Sequence, residues 1–330
     1  MASPVQPILS RPMLVVLGPT GSGKSALAME LAARCSGEIV NCDSLQLYRG
    51  FDIGTAKTPL ADRRGIPHHL FDVVAPQMSY SAGEYAREAR QILAGITGRG
   101  AVPVVVGGTG FYLRALLNGL PALPDRDEDL RARLMSREQK RPGSLHKILR
   151  RLDPKSAAAI HANDIQKVTR ALEIRLLTNA PRQATGPAEP LIGHALLKIG
   201  LDPERAALNE RLDQRVIEMF ANGLLDEVRG LLAGGLTGEE KPFESLGYKQ
   251  AIACLRGSMT MEEAIASTQL QTRQYAKRQR TWFRREPDVC WMEAFGDAAS
   301  TITEAVAVQE EFLKTLGKNN RAVGPAKTDG

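Results

Sequence analysis

Gly18-Pro19-Thr20-Gly21-Ser22-Gly23-Lys24-Ser25 matches GxxxxGK[ST] at every fixed position. Glycines at this spacing let the backbone wrap closely around phosphates. The amides of such a loop, and the helix start behind it, point at the anion. Lys24 supplies a mobile positive charge, and the Ser25 hydroxyl suits a Mg²⁺ ion. Phosphate binding is therefore expected of Gly18, Thr20, Gly21, Ser22, Gly23, Lys24 and Ser25. The loop specifies a phosphate chain and a metal, and leaves the reaction open.

Three further groups of residues bear on that reaction. Asp43, in Asn41-Cys42-Asp43-Ser44, has the right chemistry to accept a proton from a nucleophile or to support the metal; an Asp-Ser pair also suits a plain turn. Gly107-Gly108-Thr109-Gly110 offers a hydroxyl for a phosphate oxygen, or simply a tight turn. Residues 273–285 hold six Lys/Arg and no Asp/Glu. On a helix Arg273, Lys277, Arg280 and Arg284 fall at i, i+4, i+7 and i+11 and share a face. Tyr275, Trp282 and Phe283 lie among them, and basic charge with aromatics suits a phosphodiester backbone and stacked bases. Gln166-Lys167-Val168-Thr169-Arg170 adds an amide, a hydroxyl and cations within two turns.

These residues need elements to hold them. Residues 13–17 are a continuous apolar run that reads as a strand buried on both faces, and 24–35 follow a helical pattern. Glu38–Cys42 and Pro103–Val106 read as further strands. Between them Ser81 and Glu84 form a capping box that opens a helix. Strands alternating with helices predict an α/β fold, a parallel sheet flanked by helices. Residues 1–120 are its first part. Residues 121–195 hold seven prolines and few strand signals, which predicts a helical insertion. Leu196–Leu201 returns to strand, and helices dominate 196–315, with a second capping box at Thr260 and Glu263. Residues 1–12 and 316–330 are expected as flexible tails.

Composition narrows the class. The chain has 330 residues, 43% hydrophobic and 24% charged, which is ordinary globular composition with room for a sizeable core. No window approaches 18 uninterrupted apolar residues, so no membrane span is expected. Residues 1–12 lack a basic stretch followed by an apolar one, so cytosolic residence is expected. Cys35, Cys42, Cys254 and Cys290 form no CxxC pair and read as reduced structural thiols. The net charge of +6 is compatible with a polyanionic partner.

Taken together, the motifs resemble those of the bacterial tRNA dimethylallyltransferase family, from about residue 13 to 295. GPTGSGKS at 18–25, DSLQLYRGFDIGTAK at 43–57, PHHLFD at 67–72 and YSAGEYAREA at 80–89 come in family order. GGTGFYLRALLNGL from Gly107, HANDIQKVTRALEI at 161–174, ESLGYKQ at 244–250 and TRQYAKRQRTWFRR at 272–285 complete the set. The resemblance implies a P-loop NTPase-like fold and a reaction. A dimethylallyl group passes from its diphosphate to N6 of the adenosine 3′ of the anticodon, releasing pyrophosphate. The P-loop, which alone would read as nucleotide-binding, then holds dimethylallyl diphosphate with Mg²⁺ at Ser25.

By the same resemblance Asp43 is the general base, and Lys24, Ser25 and Thr109 act on the diphosphate. Asp43, Ser44, Leu45 and Gln46 face the extruded base; Thr109, Arg131 and the segment Gln166, Lys167, Val168, Thr169, Arg170 contact the tRNA anticodon stem-loop. Arg215 or Arg229 reaches the diphosphate, a choice that spacing leaves open. The insertion is expected to move toward the tRNA, and no obligate protein partner is expected. No Cys/His cluster follows Cys290, so the zinc finger of the eukaryotic relatives is not expected. A P-loop small-molecule kinase, a prenyltransferase acting on free AMP, and an RNA-binding protein with a relic P-loop are the competing readings.

Overall fold

The computed structural model describes residues 10–121, 123–178 and 188–322. They form two compact units, one made of the chain up to Leu117 and from Leu191 onward, the other of Asn118–Pro190.

The first unit is built on strands β1 (Arg11–Leu17), β2 (Gly37–Asn41), β3 (His68–His69), β4 (Val102–Val106), β5 (His194–Leu201) and β6 (Val289–Met292). Every pairing is parallel and the order is β3-β2-β4-β1-β5-β6. Val15 of central β1 stands opposite Val105 and Lys198. A central parallel strand is covered on both faces, which is why 13–17 are apolar without alternation. Leu14 and Val16 face a core shared with Leu27, Ala28 and Leu31 of α1 (Lys24–Arg34) and Ala305 of α12 (Ala299–Ala322). Helix α2 (Ala82–Gly98) starts with the expected capping box, Ser81 accepting from Glu84 N–H while Glu84 accepts from Ser81 N–H.

After β4 comes α3 (Gly110–Asn118). After β5 come α8 (Arg205–Ala221), α9 (Leu224–Ala233), α10 (Tyr248–Leu255) and α11 (Met261–Phe283), the last opened by the Thr260–Glu263 box. Two expectations change. The sheet gains short edge strands β3 and β6, too brief to show a period. Residues 316–322, expected in a tail, continue α12, where Asn320 donates to the Ser10 carbonyl (3.0 Å). Residues 323–330 lie outside the described range, as do 1–9. Among the described residues no helix is long and apolar enough to cross a membrane.

The second unit contains α4 (Glu128–Lys140), α5 (Ser144–Leu152), α6 (Pro154–Ala159) and α7 (Ile165–Thr178) around Leu134, Leu145, Leu149, Val168 and Leu172. The expected insertion, 121–195, began and ended a few residues later than this unit. Its polar centre is Glu173, fully buried, which takes hydrogen bonds from Arg131, Arg170 and the Asp127 amide. Glu173→Ala leaves the partly buried Arg170 guanidinium without its ion-pair partner and leaves Arg131 only the exposed Glu128 at 4.0 Å. It is expected to destabilise this unit by about 3 kcal/mol, seen as a lower midpoint in urea. An unchanged midpoint would show that water replaces the carboxylate at no cost.

Candidate active site

The carboxyl ends of β1, β2 and β4 open into one cleft of about 1140 Å³. That is where an open parallel sheet places ligands. The P-loop runs from β1 to the start of α1, and Thr20, Gly21, Gly23, Lys24 and Ser25 line the cleft. Gly18 and Ser22 stand behind that surface, and Ser22 is fully buried.

Lys24 Nζ donates to the Pro19 carbonyl at 2.7 Å. Removal from water lowers its pKa to about 8; Asp43 opposes that shift and Arg215 adds to it. Arg215, on α8, reaches Thr20 Oγ1 at 3.4 Å. Its pKa is also lowered by desolvation, against the pull of Asp43 and Glu218. Among the described residues neither Lys24 nor Arg215 forms an ion pair. Desolvated cations without partners mark a place made for an anion. The structure thus chooses between the arginines. Arg229 is 59% exposed, paired with Asp226, and lines no part of the cleft.

Asp43 lines the cleft from the end of β2. Asn41, 1% exposed, holds it in place: Oδ1 accepts from Asp43 N–H (2.9 Å), and Nδ2 donates to the carbonyls of Asp43 (3.1 Å) and Leu70 (2.8 Å). Asp43 Oδ1 accepts from Leu45 N–H (2.9 Å), so the aspartate also fixes its own turn. Gln46 follows on the cleft wall and donates to the Thr55 carbonyl (3.1 Å), while Leu45 is half-buried and outside the lining. Burial pushes the adjacent Cys42 thiol up to about 12, so it stays protonated.

The loop after β4 meets this turn closely. A Cβ on Gly107 would lie 2.2 Å from the Cys42 carbonyl, so only glycine fits. Thr109 accepts from Ser44 N–H (3.0 Å) and donates to Ser44 Oγ (3.3 Å). The Thr109 hydroxyl therefore braces the Asp43 turn, and Thr109 is not among the residues lining the cleft. This differs from the phosphate contact expected of it. The reason is register: β2 and β4 are direct neighbours, so their end loops touch.

The basic stripe of α11 is also redistributed. Arg273 pairs with Asp213, and Arg280 and Arg284 pair with Asp202. The face expected to be open is thus largely neutralised by carboxylates on and before α8; of the four, Lys277 alone keeps no carboxylate partner among the described residues. A helical period groups side chains but does not say what a face packs against. The exposed basic face carries Lys277, Arg278 and Arg285 around Trp282, 42% exposed, beside a shallow depression of about 420 Å³.

In the second unit Val168 and Thr169 are core residues, 0% and 1% exposed, which corrects their expected contact with RNA. Arg131 and Arg170 are committed to Glu173. Gln166 and Lys167 are exposed in the first turn of α7, and Lys167 pairs with Asp164 at 2.5 Å. Sequence reasoning passed over Gln279 and took Tyr275 only as an aromatic of the basic stripe; both line the cleft from the inner face of α11. Their i, i+4 spacing was the available signal, hidden among the cations.

Comparison with known proteins finds relatives over most of the chain. The profile of the IPP transferase family matches residues 46–286. A tRNA dimethylallyltransferase of Solibacter usitatus is 57% identical over 305 residues, covering 92% of this chain and 99% of that one. One of Koribacter versatilis is 52% identical, covering 91% and 99%. The crystal structure of the full-length tRNA isopentenylpyrophosphate transferase of Bacillus halodurans superposes with a TM-score of 0.70 at 36% identity, covering 94% of this chain and all of that one. A eukaryotic dimethylallyltransferase acting on tRNA gives 0.78 at 29% identity, covering 97% and 82%. This chain belongs to the IPP transferase family, the family of the tRNA dimethylallyltransferases.

Proposed function

We propose that this protein transfers a dimethylallyl group from dimethylallyl diphosphate to N6 of the adenosine 3′-adjacent to the anticodon of tRNA, releasing pyrophosphate. The observation that carries this reading is the pair of cations that form no ion pair among the described residues, Lys24 and Arg215, in the same cleft as the Asp43 carboxylate. The cations suit a diphosphate leaving group. The carboxylate suits an acceptor that must lose a proton.

N6 attacks the allylic carbon, the C–O bond to the diphosphate breaks, and Asp43 takes the N6 proton. Lys24, Arg215 and the P-loop amides meet the charge that grows on the departing pyrophosphate. The Ser25 hydroxyl, at the first turn of α1 on the cleft wall, would hold Mg²⁺. Among the described residues no cluster of three or more His, Cys, Asp or Glu could hold a metal. Mg²⁺ held at Ser25 would neutralise diphosphate charge. The target base must leave its stack to reach the cleft, at a cost of a few kcal/mol. In this reading Asp43 and Gln46, which line the cleft, meet it, and Ser44, Leu45 and Thr109 support that turn.

The test is incubation with labelled dimethylallyl diphosphate, Mg²⁺ and either unmodified tRNA or AMP. Label in tRNA is expected; label only in AMP would overturn the reading. RNA is proposed to lie along the exposed face of α11. Lys277→Gln, Arg278→Gln and Arg285→Gln are each expected to reduce the salt dependence of tRNA binding, d log K/d log[salt], by about 1. Arg273→Gln and Arg280→Gln, which break internal ion pairs, are expected to leave that slope alone and lower the unfolding midpoint. The reverse pattern would put the RNA on the other face.

A further inference from the structure

Gln279 lies on the inner face of α11 and is 5% exposed. Its Oε1 accepts from Thr20 N–H at 2.8 Å. Its Nε2 donates to the Gly108 carbonyl, also at 2.8 Å. Thr20 offers a donor and Gly108 an acceptor, so one orientation of the amide satisfies both bonds.

The two partners belong to different loops. Thr20 is in the P-loop after β1. Gly108 is in the loop after β4, where Thr109 braces Ser44 beside Asp43. The strands themselves stop bonding at Gly107 N–H to the Val16 carbonyl, already long at 3.4 Å. Beyond that point the Gln279 amide spans the gap. The fit is close: a Cβ on Gly108 would sit 2.3 Å from Nε2. The outer side of the same stretch of helix carries Lys277, Arg278 and Trp282.

We infer that Gln279 is a positioning residue for prenyl transfer. Its amide holds the diphosphate loop and the loop that supports the base in one frame, on the helix that faces the RNA. The inference rests on the function proposed above. Gln279 touches neither substrate in this scheme and acts through Thr20 and Gly108. A glutamine is required because a single planar group must accept on one side and donate on the other. Methionine fills similar space and does neither. Ionised glutamate accepts from Thr20 but turns a negative oxygen toward the Gly108 carbonyl. Protonated glutamate restores both bonds.

The experiment compares wild type, Gln279→Met and Gln279→Glu in the full chain. Binding of inorganic pyrophosphate with Mg²⁺ is measured by calorimetry, and prenyl transfer to tRNA is measured from pH 6 to 8. For Gln279→Met, pyrophosphate binding is expected to weaken about tenfold and kcat to fall about tenfold, each the size of one lost hydrogen bond. In Gln279→Glu the carboxyl is buried and faces the Gly108 carbonyl, both of which favour its protonated form, so the rate relative to wild type is expected to rise at least about threefold as the pH falls from 8 to 6. Taking the ratio removes the titrations of Lys24, Asp43, Arg215 and Tyr275, which line the same cleft in all three proteins.

Wild-type pyrophosphate affinity in both variants, or a Gln279→Glu ratio that does not change with pH, overturns the inference. If Gln279→Met fails to fold, Gln279→Glu decides. If wild type transfers no prenyl group, the proposed function fails, and the calorimetry still decides whether the amide orders the P-loop.

Discussion

Asp43→Asn is expected to lower kcat for prenyl transfer about 10³-fold, within the roughly 10²–10⁴-fold that a positioned general base supplies. The asparagine keeps an oxygen to accept from Leu45 N–H, and Asn41 still holds the backbone at position 43. The turn therefore survives and the lost group is the proton acceptor. KM for dimethylallyl diphosphate is expected to stay within about threefold of wild type, because the diphosphate contacts lie on the other loop. Asp43→Ala removes the Leu45 bond as well and should raise KM for tRNA in addition. Steady-state kinetics with both substrates varied make the check. A tenfold rise in KM for the diphosphate with kcat unchanged would move Asp43 from proton transfer to substrate binding.

Lys24→Ala removes the charge proposed to meet the leaving group and is expected to cost about 10²–10³-fold in kcat. Wild type carries a second mark of this residue. With the cleft empty, the Lys24 pKa is lowered to about 8, first by desolvation. A lysine is charged below its pKa, so the cation is mostly present at pH 7 and is lost as the pH rises through 8. The pH dependence of kcat/KM reports the free enzyme. Wild-type kcat/KM for dimethylallyl diphosphate is therefore expected to fall above about pH 8. In kcat the fall moves to higher pH, because bound diphosphate favours the charged amine. Lys24→Ala should lose the fall in kcat/KM. A wild-type profile that stays flat to pH 9.5 would mean that Lys24 keeps its charge in the open cleft.

The two replacements act in one cleft, and their separation in the chain shows what could be read before folding. The P-loop was legible because its function depends on backbone shape, and backbone shape is written in glycine spacing. Residues 13–17 and 103–106 were legible as strands because a sheet covered on both faces demands unbroken apolar runs. Asp43 could be named because the chain leaves a strand there, and parallel strands deliver their ends to one side. The capping boxes at Ser81 and Thr260 were readable for the same local reason.

What the chain does across its own length was not readable. Arg273, Arg280 and Arg284 look like an open cationic stripe until α8 and the segment before it bring Asp213 and Asp202 against them. Val168 and Thr169 look like part of a polar surface until α7 buries both, Val168 in a core with Leu145 and Leu149. Nothing in the spacing separates Arg215 from Arg229; the packing of α8 against the P-loop does. Gln279 is 259 residues from the amide it holds. The amino-acid sequence alone determined the loops, the strand ends and the family motifs, because each rests on geometry within about ten residues. Tertiary structure alone decided which charges remain unpaired, since a charge is free or neutralised according to what other elements bring beside it. In this protein the unpaired charges, Lys24 and Arg215 above all, are what point to a diphosphate.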